Sequence, residues 1–161
     1  MAAPDLLRIP LDEGRFENIG RLPNGNQFMA YVTGAMPDGM KYPMNDEQAR
    51  LKRWLAVVHQ FDADGNHLVS EARLGAFDIE GRDIAGQKAW AQLEDMYDRL
   101  TMDGEPVFCD INVKLFSVEI DDVLHGLFYE QDEEEPESEW VMLEPRDIMF
   151  HPEWDSGEYS T

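Results

Sequence analysis

The sequence predicts an α+β domain: a largely antiparallel sheet of about seven strands, with one main helix over about residues 83–100 on one face. Three observations carry that expectation. Strand-forming runs are joined by short turn signals, Asn24-Gly25 and Asp64-Gly65 among them. A single long stretch has helical periodicity. No internal repeat, heptad or linker divides the chain, so residues 1–161 read as one domain, a usual size for one.

Each element follows from local chemistry. Residues 1–14 lack a periodic pattern and read as a loose N-terminal arm. Phe16 to Gly34 reads as a hairpin: Asn24-Gly25 suits positive backbone angles, with Pro23 able to shift the turn by a residue, and QFMAYVT is rich in strand formers. The next segment, with Pro37, Gly39 and Pro43, is a loop, and Asn45 with Gln48 can cap a short helical turn. KRWLAVVHQF and HLVSEARL are strands. Between them, DADGN resembles the opening of a calcium loop, but the sixth and twelfth positions from Asp62 hold His67 and Arg73 rather than Gly and Glu. A tight turn is the better reading, with Asp and Asn bonding their own backbone and Gly65 supplying the left-handed angle.

Ala85, Ala89, Leu93, Met96 and Leu100 recur every three or four residues, with Trp90 and Tyr97 widening the stripe. Asp83 can cap this helix and Arg99 suits its negative end. Ile111, Val113 and Leu115 then alternate with polar neighbours, and Asp121-Asp122 can turn the chain into VLHGLFYE. The acidic stretch 131–139 cannot bury itself and reads as a mobile loop. WVMLEP resumes as a strand. The tail carries Phe150, Trp154 and Tyr159, an aromatic density that predicts docking.

Charge narrows the function. Asp and Glu number 34 against 13 Lys and Arg, a formal net charge of −21 and a pI near 4.3. From Phe116 onward 15 acids face one base, Arg146. Such a field repels nucleic acid and anionic membrane and attracts basic proteins; it also serves solubility. No apolar run approaches the roughly 20 residues a membrane helix needs, the start does not read as a secretory signal, and Cys109 is the only cysteine. The expectation is a cytoplasmic protein without a disulfide or a multi-cysteine zinc site.

No motif carries chemistry. His59, His67, His125 and His151 form no HxH or HxxxH pair, and His59 and His125 fall in strand patterns. Cys109 lies in VFCDINV among acids, which raise a thiol's pKa, so it reads as a buried inert thiol. Ser70, Ser117, Ser138, Ser156 and Ser160 lack a GxSxG context, and no phosphate-cradling or other cofactor motif is present.

Three phrases taken together, IGRLPNGNQFMAYVTGAMP, KRWLAVVHQFDADGNHL and IMFHPEWDSGEYST, resemble a family of small bacterial proteins labelled formate hydrogenlyase regulatory protein. The resemblance covers nearly the whole chain. It implies a bacterial, non-enzymatic, accessory role and carries over no catalytic or ligand residue.

The leading expectation is a non-enzymatic acidic binding or regulatory protein that engages a basic protein partner, with no cofactor, no direct nucleic-acid binding and no membrane. The expected contacts are Glu130, Asp132, Glu133, Glu134, Glu135, Glu137 and Glu139, with Trp140 as aromatic anchor. One alternative is an immunity-type inhibitor of a nuclease toxin, or a mimic of nucleic-acid charge. Another is an enzyme, which needs a deep pocket where His59, His125, Cys109 or paired acids converge.

Overall fold

The computed structural model describes residues 3–161. Its elements, in chain order, are β1 (Leu7–Ile9), β2 (Asn18–Arg21), β3 (Gln27–Ala35), α1 (Asp46–Ala49), β4 (Arg53–Phe61), β5 (His67–Phe77), a 3₁₀ turn (Asp78–Glu80), α2 (Arg82–Leu100), β6 (Val107–Phe108), β7 (Ile111–Val113), β8 (Phe116–Ile120), β9 (Val123–Gln131), β10 (Glu139–Glu144), β11 (Ile148–Phe150) and β12 (Tyr159–Ser160). The class is α+β with one main helix, as the sequence predicts.

The strands are arranged differently from the expectation of seven in one sheet. Twelve strands among the described residues form two five-stranded sheets, ordered β5-β4-β3-β2-β6 and β12-β11-β10-β9-β8, and a small β1-β7 pair. Every ladder is antiparallel. Period-2 alternation decides the layering. Met29, Tyr31, Leu55, Val57 and Phe61 point from the first sheet into a core shared with Val123, Leu127, Val141, Leu143 and Phe150 of the second. The other face of β3 and β4 presents Ala30, Ala56 and Val58 to Leu93 and Met96 of α2. The central strands are therefore covered on both faces, and the molecule is layered helix, sheet, sheet. The fit of α2 on β5 is close: a Cβ at Gly75 would stand 2.4 Å from the Ala89 nitrogen and 2.6 Å from its Cα.

The predicted loose arm over 1–14 is corrected. Residues 1 and 2 lie outside the described residues, but Leu7–Ile9 forms a strand on Ile111–Val113, with Leu7 and Ile9 buried. Three residues are too few to show periodicity in sequence, and their partner lies about a hundred residues away. Asp12 then accepts backbone hydrogen bonds from Gly14, Arg15 and Phe16 and fixes the following turn.

Local turn chemistry follows the residues. Asp62 accepts hydrogen bonds from the backbone N–H of Asp64 and Asn66 and from the Asn66 amide, and Gly65 has φ 92°. DADGN is thus a hairpin turn. Asp121 and Asp122 have φ 49° and 66° and link β8 to β9, as a two-residue hairpin turn requires. The turn after β2 is moved by Pro23: Gly25 donates to the Leu22 carbonyl, 2.9 Å, and itself has φ 90°. Helix α2 starts at Arg82 after Gly81, and no side chain caps it, so Asp83 does not play the expected part. Cys109 is half-exposed just after β6 rather than buried in a strand. The tail docks: Phe150 is buried, and Trp154 and Tyr159 pack on the main core.

Candidate functional site

The sequence-predicted acidic residues are placed by the β9–β10 hairpin. Its ladder pairs Glu130 with Trp140 and Gln131 with Glu139, so Gln131 and Glu139 belong to strands and the connection is 132–138. That connection is a loop, as predicted over 131–139 but shorter, and it has its own hydrogen bonds. Asp132 N–H donates to the Ser138 carbonyl, and Ser138 N–H to the Glu135 carbonyl. The Asp132 carboxylate accepts from the N–H of Glu134, 2.8 Å, and of Glu135, 3.1 Å. An aspartate folding the chain onto its own side chain is a common turn device. Here it holds Glu133, Glu134, Glu135 and Glu137 at the free end of the hairpin, all exposed.

Two of the predicted contacts differ. Glu139 is buried, and its Oε2 accepts a 2.8 Å hydrogen bond from the Tyr129 hydroxyl, which pushes the tyrosine pKa up. It shares the inward face of β10 with Val141, so alternation removes it from the acidic surface. Trp140 is half-buried, and its indole N–H donates to Glu130, 2.6 Å. The predicted anchor is thus already tethered to one of the acids.

Among the described residues no base forms an ion pair with the acids of the hairpin end, though Lys41 acts on Glu130 from a distance. Among the described residues the ion pairs join Arg8 to Asp110, Lys41 to Glu144, Arg82 to Asp78, Lys88 to Glu80, and Arg73 and Arg99 to Glu71 and Asp95. None reaches Glu130 or the acids from Asp132 to Glu137. Backbone hydrogen bonds at the turn fix where the carboxylates stand without consuming the charge of the four glutamates.

The structure also gathers residues that the sequence shows apart. His59 on β4 is fully buried. Its Nε2 is 2.8 Å from the Tyr31 hydroxyl and its Nδ1 2.5 Å from Ser70 Oγ, which in turn is 2.7 Å from His67 Nε2. His59 and Ser70 are direct ladder partners. Across the sheet interface the His125 ring lies 6.1 Å from that of His59, and Phe116 stacks on His67 at 4.5 Å. Both ring nitrogens of His125 are buried without a hydrogen-bond partner among the described residues.

Burial favours the neutral form of these rings. It pushes the pKa of His59 well below the usual histidine value, with the neighbouring histidines adding to it, and that of His125 down to about 4. His67 is lowered as well. Among the described residues no group of three or more His, Cys, Asp or Glu is arranged to hold a metal ion. Cys109 is outside the cluster, its Sγ facing the Val107 carbonyl. The arrangement is a packed chain of hydroxyl and imidazole groups inside the sandwich, lined by Phe61 and Phe116. Spacing in the sequence could not reveal it, because it depends on the β4–β5 register and on the stacking of two sheets.

No helix among the described residues is long and apolar enough to cross a membrane. In comparisons with protein-family models, curated proteins and solved structures, nothing matches the chain.

Proposed function

We propose that the protein is a non-catalytic binding protein of regulatory type, which engages a basic protein partner through the β9–β10 hairpin. One observation carries the reading: Glu130, Asp132, Glu133, Glu134, Glu135 and Glu137 stand together at one hairpin end, with no ion-pair partner among the described residues. Clustered, uncompensated charge steers an oppositely charged partner over about a Debye length, roughly 8 Å at physiological ionic strength. Close docking then uses the half-buried ring of Trp140, which pairs with Glu130 beside the hairpin end, an aromatic residue of the kind that anchors interfaces. The resemblance to proteins labelled formate hydrogenlyase regulatory protein fits an accessory role of this type.

The test compares the wild type with a variant in which Asp132, Glu133, Glu134, Glu135 and Glu137 become Asn or Gln. Each is used as bait in bacterial cytosol at low and at high salt. A basic protein retained by the wild type at low salt, and lost with the variant or at high salt, supports the reading. Retention by both baits at both salt concentrations overturns it.

A further inference from the structure

Four of the 13 basic residues, Arg15, Lys41, Lys52 and Arg146, line a single surface cleft of about 370 Å³. The cleft lies where the end of β3, the start of β4 and the turn from β10 to β11 meet, and it contains two acids, Glu144 and Asp147. A net cationic cleft in a chain of net charge −21 runs against composition. It is distinct from the acidic hairpin and has its own chemistry.

Arg146 is the informative residue. Its guanidinium lies over the rings of Tyr31, 4.8 Å, and Phe16, 5.1 Å. Burial lowers its pKa. Among the described residues no carboxylate is within ion-pair distance and no acceptor takes a hydrogen bond from it. The Asp12 carboxylate acts on it only from beyond ion-pair distance, and withdrawing a guanidinium from water without a paired anion is costly; stacking on two aromatic faces offsets only part of that. Its planar array of donors, suited to bidentate recognition of oxyanions, has no acceptor among the described residues and is open to a ligand.

The other wall residues fit the same ligand. Lys52 lies 5.5 Å from the Trp54 ring centroid, and the indole is fixed by its N–H bond to Asp78, 2.8 Å. Lys41 is occupied by Glu144 at 3.5 Å, which leaves Arg15, Lys52 and Arg146 as three cations without an ion pair among the described residues. Arg15 and Arg146 also border an adjoining recess of about 120 Å³. The volume of the main cleft is within the range of small-molecule sites. We propose that it binds a small organic phosphate, the dianionic group held by Arg146 with Arg15 and Lys52 and the apolar body lying against Trp54. Three unpaired cations match a dianion better than a single carboxylate.

The test follows the assigned indole N–H resonance of Trp54 by NMR at constant ionic strength while phenyl phosphate is added. Phenol and inorganic phosphate, the two halves of the probe, and benzoate are titrated in parallel. The expected result is a saturable shift of Trp54 with phenyl phosphate, at least tenfold tighter than with either half or with benzoate, while Trp140 on the hairpin stays still. Arg146→Met and Lys52→Gln should each weaken it at least tenfold; Lys52 is partly exposed, so its variant keeps the test valid if Arg146→Met does not fold. No saturable shift, or folded variants binding as tightly as the wild type, overturns the proposal. Benzoate binding as tightly as phenyl phosphate overturns the phosphate assignment.

Discussion

The Tyr31 hydroxyl and His59 Nε2 are 2.8 Å apart inside the sandwich, in a core where both residues are almost wholly buried. Tyr31→Phe keeps the ring beneath Arg146 but leaves the imidazole nitrogen without its partner. An orphaned buried polar atom costs about 1–3 kcal/mol. Chemical denaturation should show a loss of that size; an unchanged midpoint would mean that the bond contributes nothing.

His125 presents the opposite case. Both of its ring nitrogens are already unpartnered in the core among the described residues. Replacing such a group by an apolar side chain of similar size removes a desolvation penalty. His125→Leu is therefore expected to raise stability, by about 1 kcal/mol, or at least not lower it. A large destabilisation would show that the imidazole makes a contact essential to the fold.

The same histidines set the acid limb of stability. Their folded pKa values are depressed, so the unfolded chain binds protons first as the pH falls. Stability is fully present above the unfolded value near 6.5 and declines as the pH drops toward about 4, the folded value of His125. For His125 alone the full decline is on the order of 3 kcal/mol. The lowered carboxylates Asp12, Asp62 and Asp110 add further loss from the usual carboxylate range downward. Unfolding midpoints measured between pH 7 and 4 check this: the wild type should lose stability through this interval, and His125→Leu should lose less.

At Gly75 the strand and the helix backbone nearly touch. Gly75→Ala should push α2 off β5 and destabilise by about 1–3 kcal/mol or more, the range for overpacking. Thermal melting measures it. A wild-type melting temperature would mean that the helix moves freely over the sheet.

The parts of this fold legible in sequence are those that local residues decide. The stripe from Ala85 to Leu100 marks α2 to within a residue, and the turns at Gly25, Gly65 and Asp121-Asp122 come from backbone angles that those residues favour. The division into two sheets depends on which strand finds which, and no local pattern encodes that. Leu7–Ile9 is too short to signal its role, and Glu139 reads as one more acid of a charged run until β10 turns it inward. The cleft left one trace, Arg146 as the lone base after Phe116. Its neighbours Arg15, Lys41 and Lys52 are scattered along the chain and meet only in three dimensions.

The central claim is that uncompensated carboxylates at the β9–β10 tip drive association with a basic protein. The most direct measurement is the dissociation constant of the captured partner as a function of salt, for the wild type and for the variant with Asp132, Glu133, Glu134, Glu135 and Glu137 neutralised. The wild type should weaken steeply as salt rises, and the variant should bind at least tenfold more weakly at low salt with a much flatter dependence. Equal affinities and equal salt dependence for the two proteins would contradict it.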